Sequence, residues 1–284
     1  MPASKKIDLS YFPGCSLSTS AHENNLSLVE FSRKIGFNLI EIEDWNCCGS
    51  SSAHSINPGL AMDLTARNLF MAPSDRPLLV ACPNCTLRMR ETYLHLANDE
   101  TKQKEYENLW NRPFNQNLKI IHFFEILENI DLLTFSKNRL PMLQGLKFVP
   151  YYGCMLARPF SLRHEKNYHG VMEKALSSLG AISLSWPYKS RCCGTFLSVA
   201  KPNIITKVIN KIVQSAVETG AECIITACAM CHLNLEVRCT LKNSIPTIHF
   251  SEILSLALGE SEHHSWFQRH LVDPRPMLEI KGLI

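Results

Sequence analysis

The chain has 284 residues, of which 45% are hydrophobic and 19% charged, and a formal net charge of +3. That is long enough for two domains and too apolar for disorder. The basic residues are scattered without a Lys/Arg run, so no nucleic-acid footprint is indicated, and the apolar runs are too short and broken for a membrane span. The N-terminal "MPASKKIDLS" lacks the apolar core of a secretory signal, so a cytoplasmic location is expected. In a reducing compartment the twelve cysteines point to metal or redox chemistry rather than to a disulfide framework.

In chain order, an apolar aromatic strand, "LSYFPGC" at 9–15, ends in Gly-Cys, and "FNLIEIE" at 37–43 reads as a second strand leading to "WNCCG" at 45–49. Asn57-Pro58 is a cap and first-position pair that opens a helix. "PLLVACP" at 77–83 is a third, buried-type strand that delivers Cys82 and Cys85. The polar stretch 98–117 reads as a surface helix plus loop, a candidate partner surface, before "IIHFFEIL" at 120–127.

The second half repeats this order. "FVPYYGC" at 148–154 matches the first strand, and Val171, Met172, Ala175, Leu176 and Leu179 follow helical spacing up to Gly180. "AISLSWP" at 181–187 reads as a strand before "CCG" at 192–194. A wide apolar stripe from Ile205 to Val217 then predicts a helix stopped by Gly220. "CIITAC" at 223–228 is a buried-type strand, and "TIHFSEIL" at 247–254 matches the earlier His-Phe element.

The cysteines carry the repeat most clearly. Cys15, Cys47, Cys48, Cys82 and Cys85 are separated by gaps of 31 and 33 residues, and Cys154, Cys192, Cys193, Cys228 and Cys231 by gaps of 37 and 34. Only Cys223 and Cys239 stand outside the pattern. Strands alternating with helices imply βαβ units and largely parallel sheets, which collect ligands beyond their strand carboxyl ends. The expectation is therefore an α/β chain of two duplicated Rossmann-like modules, with cysteine-rich loops converging at the strand ends. The first module is assigned to 1–140 with the insertion at 98–117, the second to 141–259, and a C-terminal extension to 260–284. The join is placed at 136–145.

Adjacent cysteines cannot form an ordinary disulfide with each other. Zinc and a cubic [4Fe–4S] cluster each take four ligands, which leaves one thiol per module surplus. Five thiols, two of them adjacent, suit a larger or opened multi-iron cluster. Zinc or a regular cube in one module, or plain core cysteines, are the alternatives. Gly49 and Gly194 would let the backbone turn closely around such a group.

The ten-cysteine pattern, together with "YFPGCSLSTSA", "DWNCCG", "ARNL", "CPNCTL", "YYGCMLARP" and the second "CCG", resembles the B subunit of heterodisulfide reductase over roughly residues 7 to 258. No ferredoxin-type cysteine run is present, in keeping with the stand-alone form of that subunit. The resemblance implies two noncubane [4Fe–4S] clusters, one on Cys15, Cys47, Cys48, Cys82 and Cys85, the other on Cys154, Cys192, Cys193, Cys228 and Cys231. It further implies that a small-molecule or carrier-bound disulfide is cleaved or formed between them, with Cys48 and Cys193 central. Electrons would come from a flavin-bearing A subunit through an iron–sulfur C subunit. Two alternatives stand beside it: an electron-transfer subunit of a flavin-dependent lactate- or glycolate-type dehydrogenase, and a zinc-structured binding module.

His122 and His249 hold matched positions, either as proton or hydrogen-bond donors at the clusters or as repeated caps. Arg158, Lys189 and Arg191 are candidates for an anionic substrate group or are plainly solvated. His54 and His232 lie near the predicted ligands. Cys223 and Cys239 read as core residues, and the aromatic, basic tail as a packed extension or a partner dock.

Overall fold

A computed structural model of the chain describes residues 6–50, 53–135, 142–156, 168–259 and 263–284. Arg158 and most of the proposed join, residues 136–141, lie outside the described residues.

The first half runs β1 (Ile7–Phe12), α1 (Cys15–Ser18), α2 (His22–Lys34), β2 (Phe37–Glu41), α3 (Ala53–Ile56), α4 (Pro58–Met71), β3 (Leu78–Val80), α5 (Pro83–Ala97), α6 (Glu100–Trp110), β4 (Ile120–His122) and α7 (Phe123–Leu127). The second runs β5 (Lys147–Tyr151), α8 (Val171–Ser178), β6 (Ile182–Ser183), α9 (Pro202–Glu218), β7 (Cys223–Thr226), α10 (Ala229–Arg238), β8 (Thr247–His249) and α11 (Phe250–Ala257), then α12 (His263–Phe267) and α13 (Arg275–Ile280). The strands form two sheets ordered β2-β1-β3-β4 and β6-β5-β7-β8, parallel throughout. In each, the order reverses direction beside the first strand, so a crevice opens at the carboxyl ends of β1 and β3, and of β5 and β7. The predicted α/β duplication is the architecture of the chain.

Local chemistry accounts for the element ends. Asn57 caps α4 by accepting from the Leu60 amide at 3.1 Å, with Pro58 at the first helical position. Leu179 and Gly180 close α8, and α9 ends two residues before Gly220. The strand predicted from "AISLSWP" is only two residues long: after Leu184 donates to Phe148 at 2.8 Å, the next carbonyl, that of Pro150, accepts the Trp186 indole N–H at 2.8 Å in place of a backbone amide. The stretch at 98–117 contains α6, which is exposed along much of its length. Its Tyr106 is nonetheless buried, stacking on Trp110 and meeting Phe70 edge-on.

One hydrophobic core crosses the two halves. Phe123 and Phe250, which open the matched helices α7 and α11, meet at a centroid distance of 5.5 Å, and Phe124 meets Phe250 edge-on at 5.0 Å. On the other side, α2 packs on α11 through Ser27 and Ser251, whose hydroxyls lie 2.6 Å apart. The tail folds back onto this seam, burying Trp266, Phe267 and Leu278.

Candidate functional site

Each sheet delivers its cysteines in the same way. Cys15 and Cys154 follow the first strand after a glycine with positive φ, +79° at Gly14 and +69° at Gly153. A Cβ on Gly14 would stand 3.2 Å from Cys85 Sγ, and one on Gly153 would stand 3.1 Å from Cys231 Sγ. Glycine is thus required twice over, for the backbone turn and for close approach to a thiol. The CxxC pairs occupy the cap and third position of α5 and α10, so both thiols face one way at a helix N-terminus, where the dipole favours anionic sulfur.

The CC loops close the set from the second strand. Cys48 Sγ lies 3.0 Å from Cys85 Sγ, and Cys47 Sγ lies 3.8 Å from Cys15 Sγ. In the second half, Cys193 Sγ lies 3.4 Å from Cys231 Sγ, while Cys192 is hydrogen-bonded to Cys154 and accepts from the Gly194 amide at 3.3 Å. The structure therefore gathers all five predicted thiols in each half. The two sets are also contiguous, since Cys82 and Cys228, both buried, come close enough to interact across the boundary. The outer ends, Cys15, Cys47 and Cys192, are exposed.

The hydrogen bonds between thiols polarise each set. Cys192 is lowered to about 6, chiefly by its bond from Cys154, with Arg191 adding to the effect, and Cys154 is raised in return. Cys47 is lowered by Cys15 in the same manner, and Cys15 is raised. Soft, partly anionic sulfurs converging from three segments, with glycine backbone where a Cβ would intrude, suit a multi-metal sulfur cluster.

Several side chains hold the loops, and of these only Asn68, in the "ARNL" stretch, falls within a quoted motif. The Asn68 side chain brackets Asn46, accepting from its amide at 2.9 Å and donating to its carbonyl at 2.8 Å. Thr65 donates to the Cys48 carbonyl at 3.0 Å, and Asn234 to the Cys193 carbonyl at 2.7 Å. A cavity of about 20 Å³ beside the second set is lined in part by Asn84, Met230 and Phe196. Asn84 is buried, and its Oδ1 has no hydrogen-bond partner among the described residues.

The remaining candidates fall elsewhere. His122 and His249 cap α7 and α11: the His122 Nδ1 accepts from Phe124 N at 3.2 Å, and the His249 amide donates to Glu252 at 2.8 Å. Burial lowers both rings to about 3, so they are neutral. The Lys189 ammonium pairs with Glu173 at 3.0 Å, and its carbonyl accepts from Tyr152 and Gly153. His54 lies in α3, with Nε2 3.4 Å from Ser55 Oγ. His232 is buried in α10, Cys223 is core, and Cys239 is the half-buried cap of α10. No helix among the described residues is long and apolar enough to cross a membrane.

The sequence pattern of the CCG cysteine-rich domain matches residues 9–90 and again 148–236. The chain is 27% identical over 278 residues to the 8-methylmenaquinol:fumarate reductase membrane anchor subunit of Wolinella succinogenes, covering 94% of this chain and 97% of that one. It is 24% identical over 246 residues to the B subunit of a CoB-CoM heterodisulfide reductase from Methanosarcina acetivorans, covering 81% and 82%. In fold it is similar to a hypothetical protein of Helicobacter pylori, with a TM-score of 0.71 at 11% identity over 95% of this chain and 52% of the other. Both stretches matched by the domain pattern contain a complete five-thiol set, and a cysteine-rich domain of this kind implies iron–sulfur clusters. The chain belongs to the CCG cysteine-rich domain family, carries that domain twice, and is related to the B subunit of heterodisulfide reductase.

Proposed function

We propose that this chain is the iron–sulfur subunit of an oxidoreductase complex in which two noncubane [4Fe–4S] clusters act as a pair on a sulfur–sulfur bond. One cluster would be held by Cys15, Cys47, Cys48, Cys82 and Cys85, the other by Cys154, Cys192, Cys193, Cys228 and Cys231. When bound, such a cluster supplies one-electron redox chemistry and a soft metal partner for a thiolate. The observation that carries the reading is the contact of Cys82 with Cys228, which makes ten thiols one continuous site. Reductive cleavage of a disulfide takes two electrons and leaves two thiolates, and two adjacent one-electron centres meet that count. The electrons would arrive singly from a flavin-bearing A subunit through an iron–sulfur C subunit, in the cytoplasm. Within the chain, Gly14 and Gly153 clear the approach to Cys85 and Cys231, and Thr65 and Asn234 fix the carbonyls of Cys48 and Cys193.

A second reading keeps the paired clusters but has the chain act as a relay in a flavin- and quinol-linked dehydrogenase, with no disulfide chemistry of its own. It is favoured by the likeness to the fumarate reductase subunit over 97% of that protein. It also has a surface to use, since Phe196, Leu197, Val199 and Ile204 are exposed just after the second CCG.

Anaerobic purification followed by iron and acid-labile sulfide analysis tests what the readings share: about eight irons per chain are expected. Zinc in place of iron would overturn both. Rapid reoxidation of the dithionite-reduced holoprotein by a coenzyme heterodisulfide or another low-molecular-weight disulfide supports the first. Reoxidation by a menaquinone analogue alone supports the second.

A further inference from the structure

The two modules differ at one buried spot. Arg90 follows Cys85 by five residues, and Glu236 follows Cys231 by five; Glu125 and Glu252 likewise match, three residues after His122 and His249. In the first module the Arg90 guanidinium pairs with Glu125. In the second a carboxylate stands where the guanidinium would be, so two buried glutamates face one region. Two buried anions cost several kcal/mol unless cations meet them.

Two histidines supply the remaining groups. His270, from the C-terminal extension, places Nδ1 3.1 Å from Glu236 Oε1 and Nε2 3.1 Å from Glu252 Oε1. His232 has its Nδ1 engaged by the Asn24 carboxamide at 3.1 Å. Its Nε2 is buried and makes no hydrogen bond among the described residues, while Glu236 Oε1 stands 3.7 Å off. His232 is 1% exposed and Glu252 0%. One ligand atom each from His232, Glu252 and His270 can be chosen so that all three lie within 4.8 Å of one another.

We propose that His232, His270 and Glu252 form a buried site for a first-row divalent cation, separate from the ten thiols. Both rings have Nδ1 held by a positioning partner, Asn24 or Glu236, so each turns Nε2 to the metal: that of His232 is open, and that of His270 already meets its fellow ligand Glu252. A carboxylate holding the far nitrogen of a ligating histidine is the usual outer support of such sites. Glu236 is itself fixed by the Leu271 amide at 3.1 Å, and Glu252 by the His249 amide at 2.8 Å. A divalent cation carries the charge that offsets two buried carboxylates. Two nitrogens and one oxygen suit zinc or ferrous iron. Donors around a bond of about 2.1 Å lie about 3.3 Å apart, so the three side chains need close by up to about 1.5 Å. The cation would tie α10 and α11 to the C-terminal extension, with Asn24 of α2 holding one ligand from the other module.

Crystals of the cluster-loaded full chain, grown with zinc chloride, would be measured on both sides of the zinc and iron absorption edges. The expected result is an anomalous peak about 2.1 Å from His232 Nε2, His270 Nε2 and a Glu252 oxygen, at one edge or the other. No peak there at either edge overturns the proposal. As a second measurement, His270→Gln should lose one equivalent of the bound metal, to below a tenth, while the acid-labile sulfide and the thiol-bound iron stay constant. Full retention of the metal in that variant would equally overturn the site. Failure of the thiol clusters would appear separately, as missing sulfide.

Discussion

The two modules share a sheet order, a five-thiol set and a capping histidine, yet support them differently. Beneath the first set, Arg90 is buried, donates to the Ile120 carbonyl at 2.8 Å and pairs with Glu125, which Tyr168 also contacts at 2.6 Å. Burial pushes the Glu125 carboxyl up, but the guanidinium outweighs it and holds the group below its ordinary value. Beneath the second set the matching place is acidic, and His270 of the tail fills it. The thiol frame is thus alike in both halves, while the layer below it is free to vary provided its charge is met. It also follows that the tail is part of the second module's support.

The sharpest way to break the symmetry is to remove a thiol from one module only. Cys193→Ser is expected to lower iron from about eight to about four per chain and abolish disulfide turnover, and Cys48→Ser to do the same by emptying the first module instead of the second. Electron paramagnetic resonance of each variant should then retain the signal of the untouched module. Loss of all iron from either single variant would mean that the ten thiols hold one group rather than two.

Next in size is the buried pair of the first module. Arg90→Leu leaves Glu125 without its cation and should cost about 3–5 kcal/mol in urea unfolding. Arg90→Leu with Glu125→Gln should recover much of that loss, because the stranded charge is gone. If the double variant is as unstable as the single, Arg90 stabilises through packing and its Ile120 bonds instead.

The chain's acid sensitivity tests where the modules agree. His122 and His249 are neutral when folded, lowered by burial to about 3 from an ordinary 6.5. Because the unfolded chain takes up these protons and the folded chain does not, stability is complete above about pH 6.5 and falls as the pH drops towards 3. Each ring contributes at most about 1.4 kcal/mol per pH unit. His122→Asn or His249→Asn keeps a capping side chain and should flatten the slope between pH 6.5 and 5 equally. Unequal flattening would mean that the carboxylates around His270 and His232 alter the second ring's titration.

Much of this was legible in the sequence, because the repeat writes each strand, loop and helix twice. The spacing of Cys15, Cys47, Cys48, Cys82 and Cys85 implied convergence once the strands were parallel, and the structure brings those thiols together. What could not be read is which thiols meet across the boundary. The Cys82–Cys228 contact is set by the packing of α2 and α7 on α11, and no local pattern encodes it. The exchange of Arg90 for Glu236 was visible in the aligned repeats, but its meaning was not. His270 comes from the one segment with no counterpart, and only the fold brings it to Glu252. Thr65 was hidden for a different reason, as an ordinary polar residue of a helix until its carbonyl partner is known, and Asn68, though inside "ARNL", showed no role until Asn46 was placed beside it.

The smallest effect compares the helices that follow each CC loop. Both α4 and α9 begin with proline at the first position, but Asn57 caps α4 through the Leu60 amide, whereas Lys201 at the matching place of α9 makes no side-chain cap. Asn57→Ala should therefore cost about 1 kcal/mol, and Lys201→Asn should gain up to about that amount, since the orphan amides of the first turn acquire an acceptor. Thermal unfolding reads both as midpoint shifts of opposite sign, of a few degrees at most for a chain of this size. The Lys201 backbone, at φ −136° and ψ +56°, is not fully extended, so the new cap must relax ψ by some tens of degrees before its oxygen reaches the helix. The gain at Lys201 should accordingly be smaller than the loss at Asn57. A gain of equal size would mean that the loop after the second CC bends freely, and that α9 rather than this loop holds the second thiol set in place.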